Sequence, residues 1–161
     1  MQSRPMQISL IAVGTRMPRW VQDGFDEYSK RLTSDCRLTL VEIPAPQRSK
    51  TTDPARATRD EGEKMLKAIP KGARVVALDV KGEMHSTESL ASLLSRQMGS
   101  GRDLALLVGG ADGLSPDCLA RADESWSLSR LTFPHPLVRV ILAEQIYRAH
   151  SLMRNHPYHR A

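Results

Sequence analysis

The chain has 161 residues, the size of one domain of ordinary length. With 40% hydrophobic and 25% charged residues it carries enough apolar material for a core, which excludes wholesale disorder. Lys and Arg number 23 against 18 Asp and Glu, a net charge of +5 that points weakly to an anionic partner, while two Trp, three Tyr and two Phe are too few for a surface built on stacked bases.

In chain order, residues 8–13 (ISLIAV) form a short β-branched run closed by Gly14, which predicts a strand. Met6 stands just before that run, so residues 1–5 read as an extension. The opening segment has no uninterrupted apolar stretch with a small-residue cleavage site, and no apolar run approaches the roughly 18 residues of a membrane span. The expectation is a cytoplasmic protein. Over about 17–32, Trp20, Val21, Phe25, Tyr28 and Leu32 recur every three or four residues, an amphipathic helix with Pro18 near its start. Residues 38–43 predict a second strand stopped by Pro44 and Pro46, followed by an exposed polar loop over 45–53. Asp53-Pro54 then supplies an N-cap and a first-turn proline for a charged helix to about 69.

The second half repeats the rhythm. Residues 74–79 predict a strand with a turn at Lys81-Gly82, and Ser86 or Thr87 caps a helix over about 87–99. Residues 103–108 form a buried strand that runs straight into Gly109-Gly110-Ala111-Asp112-Gly113. Ser115-Pro116 opens a short helix to about 122, residues 125–128 predict a fifth strand, and Pro136 opens a long helix to about 154. Strands that are apolar without alternation, interleaved with helices, argue for an α/β domain with a parallel sheet covered on both faces. No repeat, linker or low-complexity segment divides residues 1–161.

Metal and redox chemistry find no support. Cys36 and Cys118 are isolated, with no CxxC and no zinc-ligand spacing, and the five His form no HExxH; both cysteines read as small core residues. The glycine loop invites a dinucleotide reading, but its spacing is GGxxG, it follows the fourth strand, and only 48 residues remain after Gly113. A tight turn and a ligand loop both fit it. On the last helix, Val138, Ile141, Leu142, Ile146, Ala149, Leu152 and Met153 share one stripe with Gln145, which suits either core or a helix-pair interface between subunits. The other side carries Arg139, Glu144, Arg148, His150, Ser151, Arg154 and Asn155 and reads as solvated, with Glu144 and Arg148 as an i,i+4 pair. Before the helix, Pro134-His135-Pro136 is a stiff segment around one His, suited to a ligand wall or to a plain helix start. The ending, Asn155-His-Pro-Tyr-His-Arg160, is either a frayed terminus or a tail that orders on RNA.

Four segments, MQISLIAVGT (6–15), LVGGADGL (107–114), LSRLTFPHPLVRVILAEQIYR (128–148) and NHPYHR (155–160), closely resemble the RlmH family of small SPOUT-class methyltransferases, in order and at matching spacing from Met6 onward. The resemblance implies a parallel-sheet SPOUT fold with a deep C-terminal trefoil knot and a homodimer. It also implies a reaction that methylates N3 of a pseudouridine in large-subunit (23S) ribosomal RNA, with the folded ribosome as partner. It implies S-adenosylmethionine as cofactor, held at Leu78, Gly109 and the segment Leu128, Ser129, Arg130, Leu131, Thr132 and Phe133. N3–H must lose its proton, so a base or a cation beside the ring is needed. The candidates are His135, Arg139, Tyr158 and His159; Arg148, Arg154 and His156 are candidates for holding the RNA, and His156 is a further one for the proton. No metal is implied. A non-catalytic RNA-binding module would explain the charge and the tail but not the ligand loops, and a nucleotide-binding oxidoreductase is disfavoured by the glycine spacing.

Overall fold

The computed structural model describes residues 4–33, 35–46, 51 and 53–159, the last without its side chain. The elements run β1 (Met6–Val13), α1 (Arg19–Ser29), β2 (Cys36–Ile43), α2 (Pro54–Ala68), β3 (Arg74–Met84), α3 (Thr87–Ser100), β4 (Leu104–Val108), α4 (Pro116–Arg121), β5 (Glu124–Ser127) and α5 (His135–Met153), with a 3-10 turn at Pro157–His159. Within residues 1–5, Arg4 is described and bonds Asp103 at 3.1 Å; residues 1–3, and residues 47–50 and 52 of the expected loop, lie outside the described residues.

The five strands form one sheet in the order β2-β1-β4-β3-β5, every pair parallel. Parallel strands need helical crossovers, and these cover both faces. On one face Leu10, Leu104 and Leu106 pack with Phe25 of α1, Leu94 of α3, and Leu142 and Ile146 of α5. On the other, Ile11, Val75 and Leu107 pack with Met65 of α2 and Cys118 of α4. All five residues of β4 are buried, which is why its sequence shows no alternation. Truncating such a leucine, as in Leu106→Ala, costs about 2–5 kcal/mol.

The helix starts follow the local chemistry. Asp53 accepts from Ala55 N at 3.0 Å, Ser86 from Ser89 N at 3.0 Å, and Ser115 from Cys118 N at 3.1 Å. Two features differ from the sequence reading. Strand β3 does not turn at Lys81-Gly82 but continues to Met84. Leu78 and Glu83 both pair with Trp126, so residues 79–82 bulge outward, and a Cβ on Gly82 would lie 2.7 Å from backbone carbons of Ser125 and Trp126. The absent side chain lets the two backbones touch. The other difference is α5. Its side expected to be solvated holds Arg139, His150 and Ser151, which are buried, because α5 is wedged between α1 and α3 and receives Asp35 from the α1–β2 turn: His150 Nε2 stands 3.0 Å from Asp35 Oδ1. Its apolar stripe turns into the core of its own chain, with Leu142, Ile146 and Ala149 buried.

Candidate active site

A cleft of about 750 Å³ opens at the carboxyl ends of β3, β4 and β5, where parallel α/β sheets place their ligands. Each wall comes from a chain segment leaving a strand. Leu78, Asp79 and Val80 come from the β3 bulge, Val108 to Leu114 from the end of β4 and the glycine loop, and Trp126 to Ser129 with Leu131 to Pro134 from the end of β5 and the segment after it. His135 and Val138 close it from the first turn of α5. The wall is mainly apolar, and its only ionisable side chains among the described residues are Asp79, Asp112 and His135.

The glycine loop is folded on itself. Gly113 N donates to Gly110 O at 3.1 Å, the two residues form a bridge, and Gly113 has φ +78°. A Cβ on Gly109 would stand 2.4 Å from Gly113 C, 2.5 Å from Gly113 O and 2.8 Å from Leu114 N. Glycine at 109 therefore serves close backbone approach, whereas at 113 it serves the left-handed φ. The third wall is shaped by serines: Ser127 Oγ donates to Ser129 O at 3.0 Å, and Leu131 N donates to Ser129 Oγ at 2.9 Å. That leaves Leu131 at the rim, 71% exposed.

Beneath this wall lies Arg139. Its Nη1 donates to Glu42 Oε2 at 2.8 Å, and its Nη2 donates to Val13 O at 3.1 Å and Gly14 O at 2.7 Å. It is wholly buried and does not line the cleft. His135, one helical turn earlier, does line it, and burial, then the neighbouring Arg139, holds its imidazole below the ordinary histidine value of 6.5. The imidazole is thus neutral at physiological pH.

The tail residues sit elsewhere. Asn155 takes a left-handed φ of 56° that ends α5, and His156 N returns to Ser151 O at 2.8 Å. Tyr158 then lies against Tyr147, ring centroids 4.6 Å apart, under Arg148 at 5.0 Å, with its hydroxyl donating to Glu144 Oε2 at 3.2 Å. Burial first, then Tyr28 and Glu144, push the Tyr158 phenol up to about 12, so it is a hydrogen-bond donor at neutral pH. Arg154 is tied to Thr33 and Asp35. Glu144 and Tyr147 lie about 13–18 Å along α5 from His135, at 1.5 Å per residue.

The structure therefore gathers Leu78, Gly109, Leu128, Ser129, Leu131, Thr132, Phe133 and His135 around one cleft. It leaves Arg130 exposed outside it and Arg139 below it, and it sets Arg148, Arg154, His156 and Tyr158 at the other end of α5. The side chain of His159 lies outside the described residues. Sequence reasoning passed over Asp79, Val80, Leu119 and Trp126, all of which line the cleft. Gly82, a break inside a β-branched run, was the available signal that the chain beside Val80 is pressed against another backbone. Among the described residues there is no group of three or more His, Cys, Asp or Glu able to hold a metal ion, and no helix is long and apolar enough to cross a membrane.

The description "Predicted SPOUT methyltransferase" matches residues 6–159. The chain belongs to the SPOUT methyltransferase family. Within it, curated relatives align over 155 residues, 96% of this chain. One from Thioalkalivibrio sulfidiphilus is 62% identical over 99% of its own length, and one from Marinomonas sp. is 59% identical over 100%. Both carry the name "Ribosomal RNA large subunit methyltransferase H". Among solved structures, the tRNA (m1G37) methyltransferase of Aquifex aeolicus superposes with a TM-score of 0.57 at 11% identity, over 89% of this chain and 69% of that one. A probable methylase family protein of Haemophilus influenzae gives 0.55 at 11% identity, over 94% and 69%. At these identities the solved structures establish the fold alone.

Proposed function

We propose that this SPOUT methyltransferase uses S-adenosylmethionine to methylate large-subunit ribosomal RNA at N3 of a pseudouridine, acting as a homodimer on the folded ribosome. The observation that carries the reading is the cleft itself. Three strand-end segments, one of them a glycine loop whose backbone arms touch, form one mainly apolar hollow, of a size that takes a nucleoside-sized molecule. The fit is specific to backbone approach, since any side chain at 109 would overlap Gly113. The ribosomal RNA assignment follows the names of relatives that align over almost the whole chain.

When bound, S-adenosylmethionine supplies an electrophilic methyl group on a sulfonium. This chain's residues do the rest. Leu78, Gly109 and the segment Leu128–Phe133 hold the cofactor; within that segment the exposed Arg130 contributes backbone only. Apolar Leu78, Val108, Leu128 and Val138 exclude water. The neutral imidazole of His135 takes the N3 proton of the base, and a positively charged His135 results, later discharged to solvent. Arg148, Arg154 and His156 hold RNA phosphates, a contribution that falls with salt. Because Arg148, His156 and Tyr158 lie at the far end of α5 from the cleft, the reading includes a partner copy whose tail stands beside each cleft. Trp20, 58% exposed on α1, is a large apolar side chain free to enter such an interface. A deep C-terminal trefoil knot, as the SPOUT family implies, belongs to the same reading.

The deciding experiment is transfer of labelled methyl groups to ribosomes from a strain lacking this modification, followed by nucleoside analysis. Label in a base-methylated pseudouridine is the expected result, and label in any other nucleoside overturns the substrate assignment. The proton role makes a separate prediction. Since the neutral imidazole is the active form and its pKa lies below 6.5, turnover should rise with pH in the range below 6.5 and level above it. His135→Asn should lower kcat by about a hundredfold and remove that acid limb. An unchanged pH profile in this variant would assign the proton to another group.

A further inference from the structure

We propose that Arg139 is a positioning residue: with Glu42 as its counter-ion, it pins the carboxyl end of β1 to the first turn of α5 and so fixes His135 in the cleft wall. The proposal rests on the methyltransferase reading of the cleft.

The geometry is specific. One guanidinium spends Nη2 on the carbonyls of Val13 and Gly14 and Nη1 on the Glu42 carboxylate, a fork that a lysine cannot reproduce. The carbonyls at the end of a parallel strand have no ladder partner once the strand stops, and here the buried cation satisfies them. The strand end is itself shaped for this contact. Gly14 has φ +114°, and a Cβ built there would lie 3.4 Å from Arg139 Nη2 and 3.5 Å from His135 Cε1. The His135 ring and the Arg139 fork thus rest on the same glycine. A buried guanidinium needs a counter-charge, and Glu42, which pairs with Ala12 across the β1–β2 ladder, supplies it from an edge where its own carboxylate stays partly hydrated.

Charge links the two residues as well. Beside burial, Arg139 disfavours protonation of His135, and the Glu42 carboxylate, paired with that cation at 2.8 Å, is placed to offset part of its field. The other ionisable groups of the cleft wall are Asp79 and Asp112. Removing the cation and removing its counter-ion should therefore move His135 in opposite directions. A merely structural role would instead loosen the site in both cases and move it the same way, toward the ordinary value.

The test is an NMR titration of histidine-labelled protein, read without substrate, beside steady-state methyl transfer, in Arg139→Gln and Glu42→Gln. The half-exposed Glu42 makes its variant the milder one should Arg139→Gln fold poorly. The His135 midpoint is expected to rise in Arg139→Gln and fall in Glu42→Gln, each by about half a pH unit or more. In both variants kcat should drop at least about tenfold while the KM for S-adenosylmethionine stays within about threefold, as expected when a reacting group is misplaced by a fraction of an ångström. Midpoints that shift together toward 6.5, or turnover unchanged in both variants, would overturn the proposal. Midpoints that diverge while the wild type methylates no RNA would support the placement of His135 and overturn the function instead.

Discussion

Gly109→Ala is expected to abolish cofactor binding while leaving the sheet folded. The added carbon would sit 2.4 Å from Gly113 C and 2.5 Å from its carbonyl oxygen, both backbone atoms that cannot rotate aside. Relief requires the arms of the loop to separate, breaking the Gly113 N to Gly110 O bond and opening one wall of the cleft. We expect the affinity for S-adenosylmethionine to fall by more than about a hundredfold, equivalent to about 2.7 kcal/mol. Folding stability should drop by about 1–3 kcal/mol, the usual range for overpacking. Calorimetric titration and thermal melts measure the two separately. Cofactor affinity within about threefold of wild type would show that the loop is a plain turn. Gly99 is a useful control, since a Cβ there meets nothing within 4 Å.

Loss of the tail should be as damaging to turnover and yet leave cofactor binding intact. Removing residues 156–161 takes away Tyr158 and His159 but touches no residue that lines the cleft. Turnover should fall by about a thousandfold, the scale on which a positioned group outperforms a free one. The stronger form of this prediction is complementation. Mixed with Gly109→Ala protein, which has an intact tail and a spoiled cleft, the truncated chain should recover activity. Random exchange makes half of all dimers mixed, and each mixed dimer has one complete site, so about a quarter of wild-type activity should return. No recovery under conditions where subunits exchange would show that tail and cleft act within one chain or that the tail is not catalytic.

How much of this was legible in the sequence varies by residue. Strands β1 and β4 announced themselves as apolar runs because both faces of the sheet are covered there, β2 as a partly exposed edge run, and three helix starts were legible from Asp53, Ser86 and Ser115. The bulge in β3 was not legible. Its cause is a contact with β5 about 45 residues away: Gly82 signals a close backbone approach, but no local pattern names Trp126 as the partner. Arg139 was misplaced for a related reason. Periodicity puts it opposite the apolar stripe, but α5 is enclosed on more than one side, and what buries this cation is the end of a strand more than 120 residues earlier. Glycine at 109 was visible as a special loop position, though not that its special property is backbone contact with Gly113. The tail could be read as chemically rich, but not as folded back onto Tyr147 and away from its own cleft.

The Arg139 clasp also constrains how the chain comes to be folded. The carbonyls of Val13 and Gly14 stand at the end of β1, and the group that satisfies them belongs to α5, across sequence separations of 126 and 125 residues. Contacts of such span form late, because loop closure must precede any gain from them. Until α5 is released from the ribosome, β1 has an open end and the core beside Leu10 lacks Leu142 and Ile146. A chain lacking α5 is therefore an incomplete core whose cleft lacks His135 and Val138.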